Sequence, residues 1–446
     1  MRIDLKNRLF GLIIGVSFLF TLASCEERWD DPIPEGVSLA RATLLSELTE
    51  EGNILLMWGN FRICNGWNCV PLAEASSYDL FLKRHGMQNF ERLVRLSRGS
   101  NEYLFTDVDF GGTYEFFIRS NRAGRQEDSN TVMIVPGKSP EIEPIFDSDF
   151  GPHGILHPRL SPSGNQVAYV SDVRFTENGE ERRALSLFIF DQQTQEHRLI
   201  RRNANQPNWS SDGKRLIYSV TAGSGQTPQG IRPSHLEIFN LDTEEFNLFS
   251  GGLHQQATPS FSKDDQEVFF YADSLVSGDF GVWKRDFAGN MTPVFTSFGD
   301  GVNLVTGLPV FRGLDVSRIN EMVVADHLQL YNDFPVYHIF GFDGSRGGQK
   351  VDVLVSQWND SAPSLSPFDP NKMAFVSDRS GIPQIWMLDM LTGAVNQVTF
   401  FGVTQSGMRV SEFGMGISWA DNGRALVFPV RGTAGSTALV KATLVD

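Results

Sequence analysis

The 446-residue chain is 41% hydrophobic and 20% charged, with 53 acidic against 38 basic residues and a net charge of −15. That length allows two or three domains with cores of their own. The acidity argues against nucleic acid and anionic lipid surfaces as partners, because both would repel the chain.

At the N-terminus Arg2, Lys6 and Arg8 precede an apolar run over residues 9–20, which is too short to span a bilayer permanently and reads as a secretory signal. The run ends in Leu22-Ala23-Ser24-Cys25, which resembles the lipobox of bacterial lipoproteins. The resemblance implies a signal peptide over 1–24 and a diacylated Cys25 as the new N-terminus. Several acyl chains exceed the two signals that stable anchoring needs, so Cys25 is expected to be a membrane anchor. Removing residues 1–24, which carry a net +2, takes the charge from −15 to −17. Residues 25–37, beginning "CEERWDDPIPEG", are acidic and proline-containing and are expected to form an extended tether. Localisation in the cell envelope follows, as an outer-membrane lipoprotein facing the periplasm or the outside.

Residues 38–137 carry period-two apolar runs, "NILLMW", "SYDLFLKR" and "TYEFFIRSNRAG", separated by turn residues. This pattern predicts an antiparallel sandwich. It resembles the fibronectin type III module, which implies a buried strand tryptophan at Trp58, the apolar residue before the turn at Val108 and a tyrosine corner at Tyr114, with Trp58 and Tyr114 in the core. Cys64 and Cys69 in "CNGWNC" are expected to form a short disulfide loop in an oxidising compartment. The surrounding insertion leaves Trp67 as an exposed contact.

Residues 138–446 repeat one unit six times: "HPRLSPSGNQVAYVSD", "QPNWSSDGKRLIYSV", "TPSFSKDDQEVFFYAD", "LPVFRGLDVSRINEMVVAD", "APSLSPFDPNKMAFVSD" and "GISWADNGRALVFPV". Anchored on Leu160, Trp209, Phe261, Phe311, Leu365 and Trp419, the spacings are 49, 52, 50, 54 and 54 residues. A period near fifty with several strands per repeat predicts a six-bladed β-propeller. The Ser/Pro/Asp/Gly turns are accounted for by hairpin geometry alone. The repeats resemble those of the TolB propeller family, best in the second and fifth units, a family that includes adaptors, gates and metal-dependent lyases. The fold class is therefore all-β, an immunoglobulin-like sandwich followed by a propeller. The last repeat lacks an outer strand, and "EIEPIFD" at 141–147 is expected to supply it by pairing with the C-terminal strand.

No nucleophile elbow, zincin, Walker or dinucleotide motif is present in the sequence. "DSDFG" at 147–151 begins like a calcium loop, but Pro158 stands where the bidentate carboxylate is required. His153, His157 and His254 precede first strands, where a propeller gathers residues at one channel mouth. They are candidate metal ligands by resemblance to pectate-degrading lyases, and otherwise polar mouth residues. Long loops from 172, 221 and 326 are expected on that same face. Arg232, His327, Tyr331 and Phe334 lie in them, and Trp358 in a preceding loop, as ligand contacts. The expectation is a monomeric binding or adaptor protein for an envelope protein or glycan, without catalytic residues or a cofactor. The alternative is a metal-dependent polysaccharide lyase or hydrolase at the channel mouth.

Overall fold

The computed structural model describes residues 32–445 except 61–63, 66–67, 70–71, 149–153, 222–233, 251–255, 274–279, 297–311, 333, 346–348, 403–407, 412–415 and 433–435. Cys25 and the signal lie outside the described residues, as does Trp67.

Two sheets form the N-terminal part. One joins Ala42–Leu48, Ile54–Asn60 and Glu102–Phe105; the other joins Ser77–Arg84, Glu91–Ser97, Tyr114–Arg122, Arg125–Asp128 and Val132–Ile134. Alternate residues of Tyr114–Arg122 are buried, as a half-covered strand requires. Leu44, Leu56, Trp58, Leu80, Phe116 and Ile118 meet in one core between the sheets. Trp58 meets Tyr78 edge to face at 5.8 Å. The Tyr114 hydroxyl accepts the backbone N–H of Asp109 at 2.6 Å. Cys64 stands directly opposite Cys69 in a short antiparallel pair.

Six antiparallel sheets of four or five strands follow, one for each repeat, and make a six-bladed propeller. The innermost strands are Ile155–Leu160, Ala204–Trp209, Gln256–Phe261, Leu314–Val316, Asp360–Leu365 and Ser418–Ala420. Five of the six anchor positions hold. In the fourth blade Val316 pairs with Val323 as Phe261 pairs with Val268, and Ser317 closes the turn as Ser262 does in the third. Val316 therefore holds the anchor register in this blade, and Phe311 lies outside the described residues. The spacing before Val316 is 55 residues and the spacing after it 49.

Glu141–Ser148 pairs antiparallel with Thr437–Thr443 as the outer strand of the sixth blade, with a bulge after Pro144. Its Phe146 reaches the first blade, with ring centroids 5.1 Å from Tyr169 and 4.6 Å from Phe190. One short segment thus holds the last blade against the first.

The N-terminal sandwich is docked on the propeller rather than held off as a spacer. Ser46 N–H donates to the Ser380 carbonyl at 2.9 Å and Met133 N–H to the Arg379 carbonyl at 2.6 Å. Met133 and Val135 join a core containing Phe375, Trp386 and Leu388 of the fifth blade.

Candidate binding face at the channel mouth

Four innermost strands carry the same deformation. At His157-Pro158, Gln206-Pro207, Thr258-Pro259 and Ala362-Pro363 the pairing skips two residues against one, a β-bulge. Bulged residues leave the ladder, so a proline without an N–H is tolerated there. The residues before the prolines have φ of 46°, 54°, 48° and 52°. Facing each bulge from the second strand is a fully buried aromatic, Tyr169, Tyr218, Phe270 or Phe375. The repeated x-Pro and the aromatic in "VAYV", "LIYS", "VFFY" and "MAFV" therefore recur together, a bulge on the innermost strand and a buried ring across from it on the second.

His157, Arg159, Gln206, Thr258, Arg312 and Ala362 line the resulting mouth, with Gly416 completing the circle. The enclosed volume is about 20 Å³, room for about one water. Neighbouring blades are stitched together beside it. The indoles of Trp209 and Trp419 donate to the carbonyls of Arg159 and Ser364 at 2.9 and 3.1 Å. The side chains of Asn208, Asp315 and Ser418 accept the N–H groups of Phe261, Leu365 and Leu160 at 3.4, 2.8 and 3.0 Å. At the far end Arg318 of the fourth blade crosses to Asp265 of the third (2.9 Å) and to the Trp209 carbonyl of the second (2.6 Å).

Two of the three expected long loops are instead β-hairpin arms. Gln166–Glu177 pairs with Glu180–Asp191 out to an Asn178-Gly179 turn, and Met322–Tyr331 pairs with Phe334–Asp343. Both arms extend from the strand ends that lie at the mouth, since Ser171 faces Ile155 and Ala325 faces Leu314 where each arm begins. The turn carrying Arg379 and Ser380, on which the sandwich docks, belongs to the same side, because Ser377 faces Asp360 just before it.

The expected contact residues separate. His153, His254 and Arg232 lie outside the described residues, as does most of the loop from 221. His157 sits on the first bulge and lines the mouth. His327 is not a surface contact: it is 4% exposed, opposite His338 across the arm's base. Burial, with smaller contributions from Lys350 and His338, pushes its imidazole down to about 3. Tyr331 is 36% exposed near the arm's tip, and Phe334 opens the returning strand. Trp358 is a docking contact between the two parts of the chain; its indole donates to the Thr131 carbonyl at 2.9 Å and stacks with Arg379 at 5.2 Å.

Sequence reasoning missed Arg159, Arg312 and Thr258 at the mouth. The x-Pro dipeptide was the available signal for Thr258 and for Arg159, one residue beyond its proline. It also missed Asp326, whose buried carboxylate accepts the N–H groups of Arg312, Gly313 and Ala362 at 2.6, 2.9 and 2.8 Å. Among the described residues no three His, Cys, Asp or Glu side chains gather to hold a metal ion. His157 has Arg159 and Arg312 as cavity neighbours, and their charge opposes a cation there. The described residues therefore do not fit a metal centre.

No protein-family model and no curated protein matches the chain. Among solved structures it is similar to TolB from Acinetobacter baumannii, over 76% of this chain and 78% of the other, at 14% identity and a TM-score of 0.43. It is similar to an oligogalacturonate lyase in complex with manganese over 92% and 99%, at 14% identity and 0.45. It is also similar to an auxiliary nutrient binding protein from Bacteroides thetaiotaomicron over 92% and 98%, at 11% identity and 0.47.

Proposed function

We propose that the protein is a lipid-anchored binding or adaptor protein of the cell envelope, and that its mouth-side face holds a protein or glycan partner. The observation that carries this reading is the framing of one face: two hairpin arms and the docked sandwich stand on the side of a mouth whose own cavity is small. Recognition surfaces of this kind sit on a rigid scaffold, and both arms are built from paired strands. The Leu-Ala-Ser-Cys end of the signal supports the anchor, and the acidic tether after it gives the face room to meet a partner. The hydrogen bond from Asp109 to Tyr114 and the Trp58–Tyr78 contact support a fibronectin type III-like sandwich.

The test compares the whole protein with a variant whose arms are shortened by removing residues 173–183 and 328–336, using envelope extracts and an array of envelope glycans. A partner retained by the first and lost by the second is expected. Equal retention would show that the face does not do the binding. The alternative of a lyase or hydrolase at the mouth is read in the same preparations, as release of oligosaccharides from acidic polysaccharides with and without divalent metal.

A further inference from the structure

Several arginines of the propeller are matched with carboxylates, among them Arg183 with Asp172, Arg198 with Glu244, Arg201 with Glu237, Arg318 with Asp265 and Arg379 with Asp360, while others, such as Arg202 and Arg285, lie over aromatic rings instead. Arg159 and Arg312 form no such ion pair among the described residues, and both line the channel mouth. One Arg159 N–H donates to the Ile417 carbonyl at 2.9 Å. The Arg312 guanidinium lies over the Tyr337 ring at 4.1 Å. A guanidinium carries five N–H donors; Arg312 also hydrogen-bonds the Tyr337 side chain, and several donors of the two arginines are left for a further acceptor.

Two buried carboxylates act on these arginines from nearby, Asp315 on Arg159 and Asp326 on Arg312, without closing an ion pair, and each also holds backbone donors. Asp326 is taken up by three backbone N–H groups and Asp315 by that of Leu365. Thr258 lines the same cavity, 7% exposed, and its hydroxyl has no hydrogen-bond partner among the described residues. Among the described residues the cavity lining thus offers two guanidinium groups and a hydroxyl without a partner, in a chain whose net charge is −15.

We propose that the channel mouth is a carboxylate receptor, taking a carboxylate carried on a slender stem: the acidic side chain or C-terminus of a peptide segment of the partner. The proposal rests on the reading of this face as the binding surface. A cavity of about 20 Å³ holds about one water, so the oxygens of such a group meet the arginines at its opening while the stem stays outside. A sugar ring bearing its carboxylate directly is too wide to follow. The planar fork of arginine matches two carboxylate oxygens, which a lysine cannot do.

The experiment titrates the full chain with N-acetylglycine, its neutral amide N-acetylglycinamide, and glucuronate, reading calorimetric binding and thermal shift. N-acetylglycine is expected to bind and raise the melting temperature, and the other two are not. Arg312→Gln and the charge-retaining Arg312→Lys should each weaken that binding roughly tenfold or more. Melting of the ligand-free variants checks folding, and Arg159→Lys repeats the test from the other side of the mouth. Equal response to the amide, or undiminished affinity in both lysine variants, overturns the proposal. Glucuronate binding as tightly as N-acetylglycine overturns the slender-stem assignment. The response is read on small molecules, so it can fail while the arms still capture a partner, and hold while they capture none.

Discussion

Asp326 and His327 are adjacent, both buried, and titrate in opposite senses. Burial lifts the Asp326 carboxyl to about 6 even against three N–H donors, and pushes His327 down to about 3. An unfolded histidine takes a proton near 6.5, so as pH falls below that value the unfolded chain gains a proton that folded His327 refuses. Its contribution to stability is therefore lost progressively from about pH 6.5 to about pH 3. Asp326 works the other way: between about 6 and the ordinary 3.8 the folded state holds a proton that the unfolded state has released, so stability rises as pH falls through that window. His327→Gln removes the first effect alone. Relative to the natural protein, the variant should gain about 2 kcal/mol between pH 7 and pH 4.5, whatever its pH-independent cost. Parallel stability curves from urea unfolding at the two pH values would sink this assignment. The sequence could not have shown either shift, because Asp326-His327 looks like the start of a polar loop until the arm's strands bury it.

At the scale of elements, the strands and their count were legible because each repeat alternates apolar residues between turn signals. What was not legible was where blades end and arms begin. Both arms project beyond the blades and carry mixed polar residues, so period two fades; yet Asn178-Gly179, with φ of 52° and 84°, is a hairpin turn that the sequence announced. In the fourth repeat the x-Pro signal, Leu308-Pro309, stands several residues ahead of the register that Leu314–Val316 sets, so spacing counted from Phe311 differs from spacing counted from Val316. The docking turn of the fifth blade was equally hidden. Its Arg379 donates to Asp360 at 2.7 and 3.1 Å, with both side chains almost wholly buried. Removing one partner of such a pair strands the other charge, so Arg379→Met should cost about 3 kcal/mol or more. Adding Asp360→Leu should recover much of that loss. A single variant within about 1 kcal/mol of the natural protein in chemical unfolding would show that the pair does not secure this turn.

For the whole molecule, the decisive feature is that one connector serves both parts. From the sandwich the chain leaves through Val132–Ile134, packs Met133 and Val135 into the fifth-blade core, and then becomes the outer strand of the sixth blade at Glu141–Ser148. Without that strand, Thr437–Thr443 would present an open edge with unpaired N–H and carbonyl groups, and the first blade would lose Phe146 from against Phe190 and His197. Ring closure therefore depends on residues outside the repeats, which is why a strand count on the last repeat was enough to expect them. A chain beginning at residue 141 keeps the closure and loses the sandwich; one beginning at residue 149 loses both. The second should melt lower than the first by roughly 10 °C, given several kcal/mol of lost pairing and burial and the few degrees that each is worth in a domain of this size. Phe146→Ala in the full chain tests the aromatic part alone and should cost about 2 to 3 kcal/mol. If the two truncated chains unfold at the same temperature, the six blades hold their ring without this strand, and the connector is merely a connector.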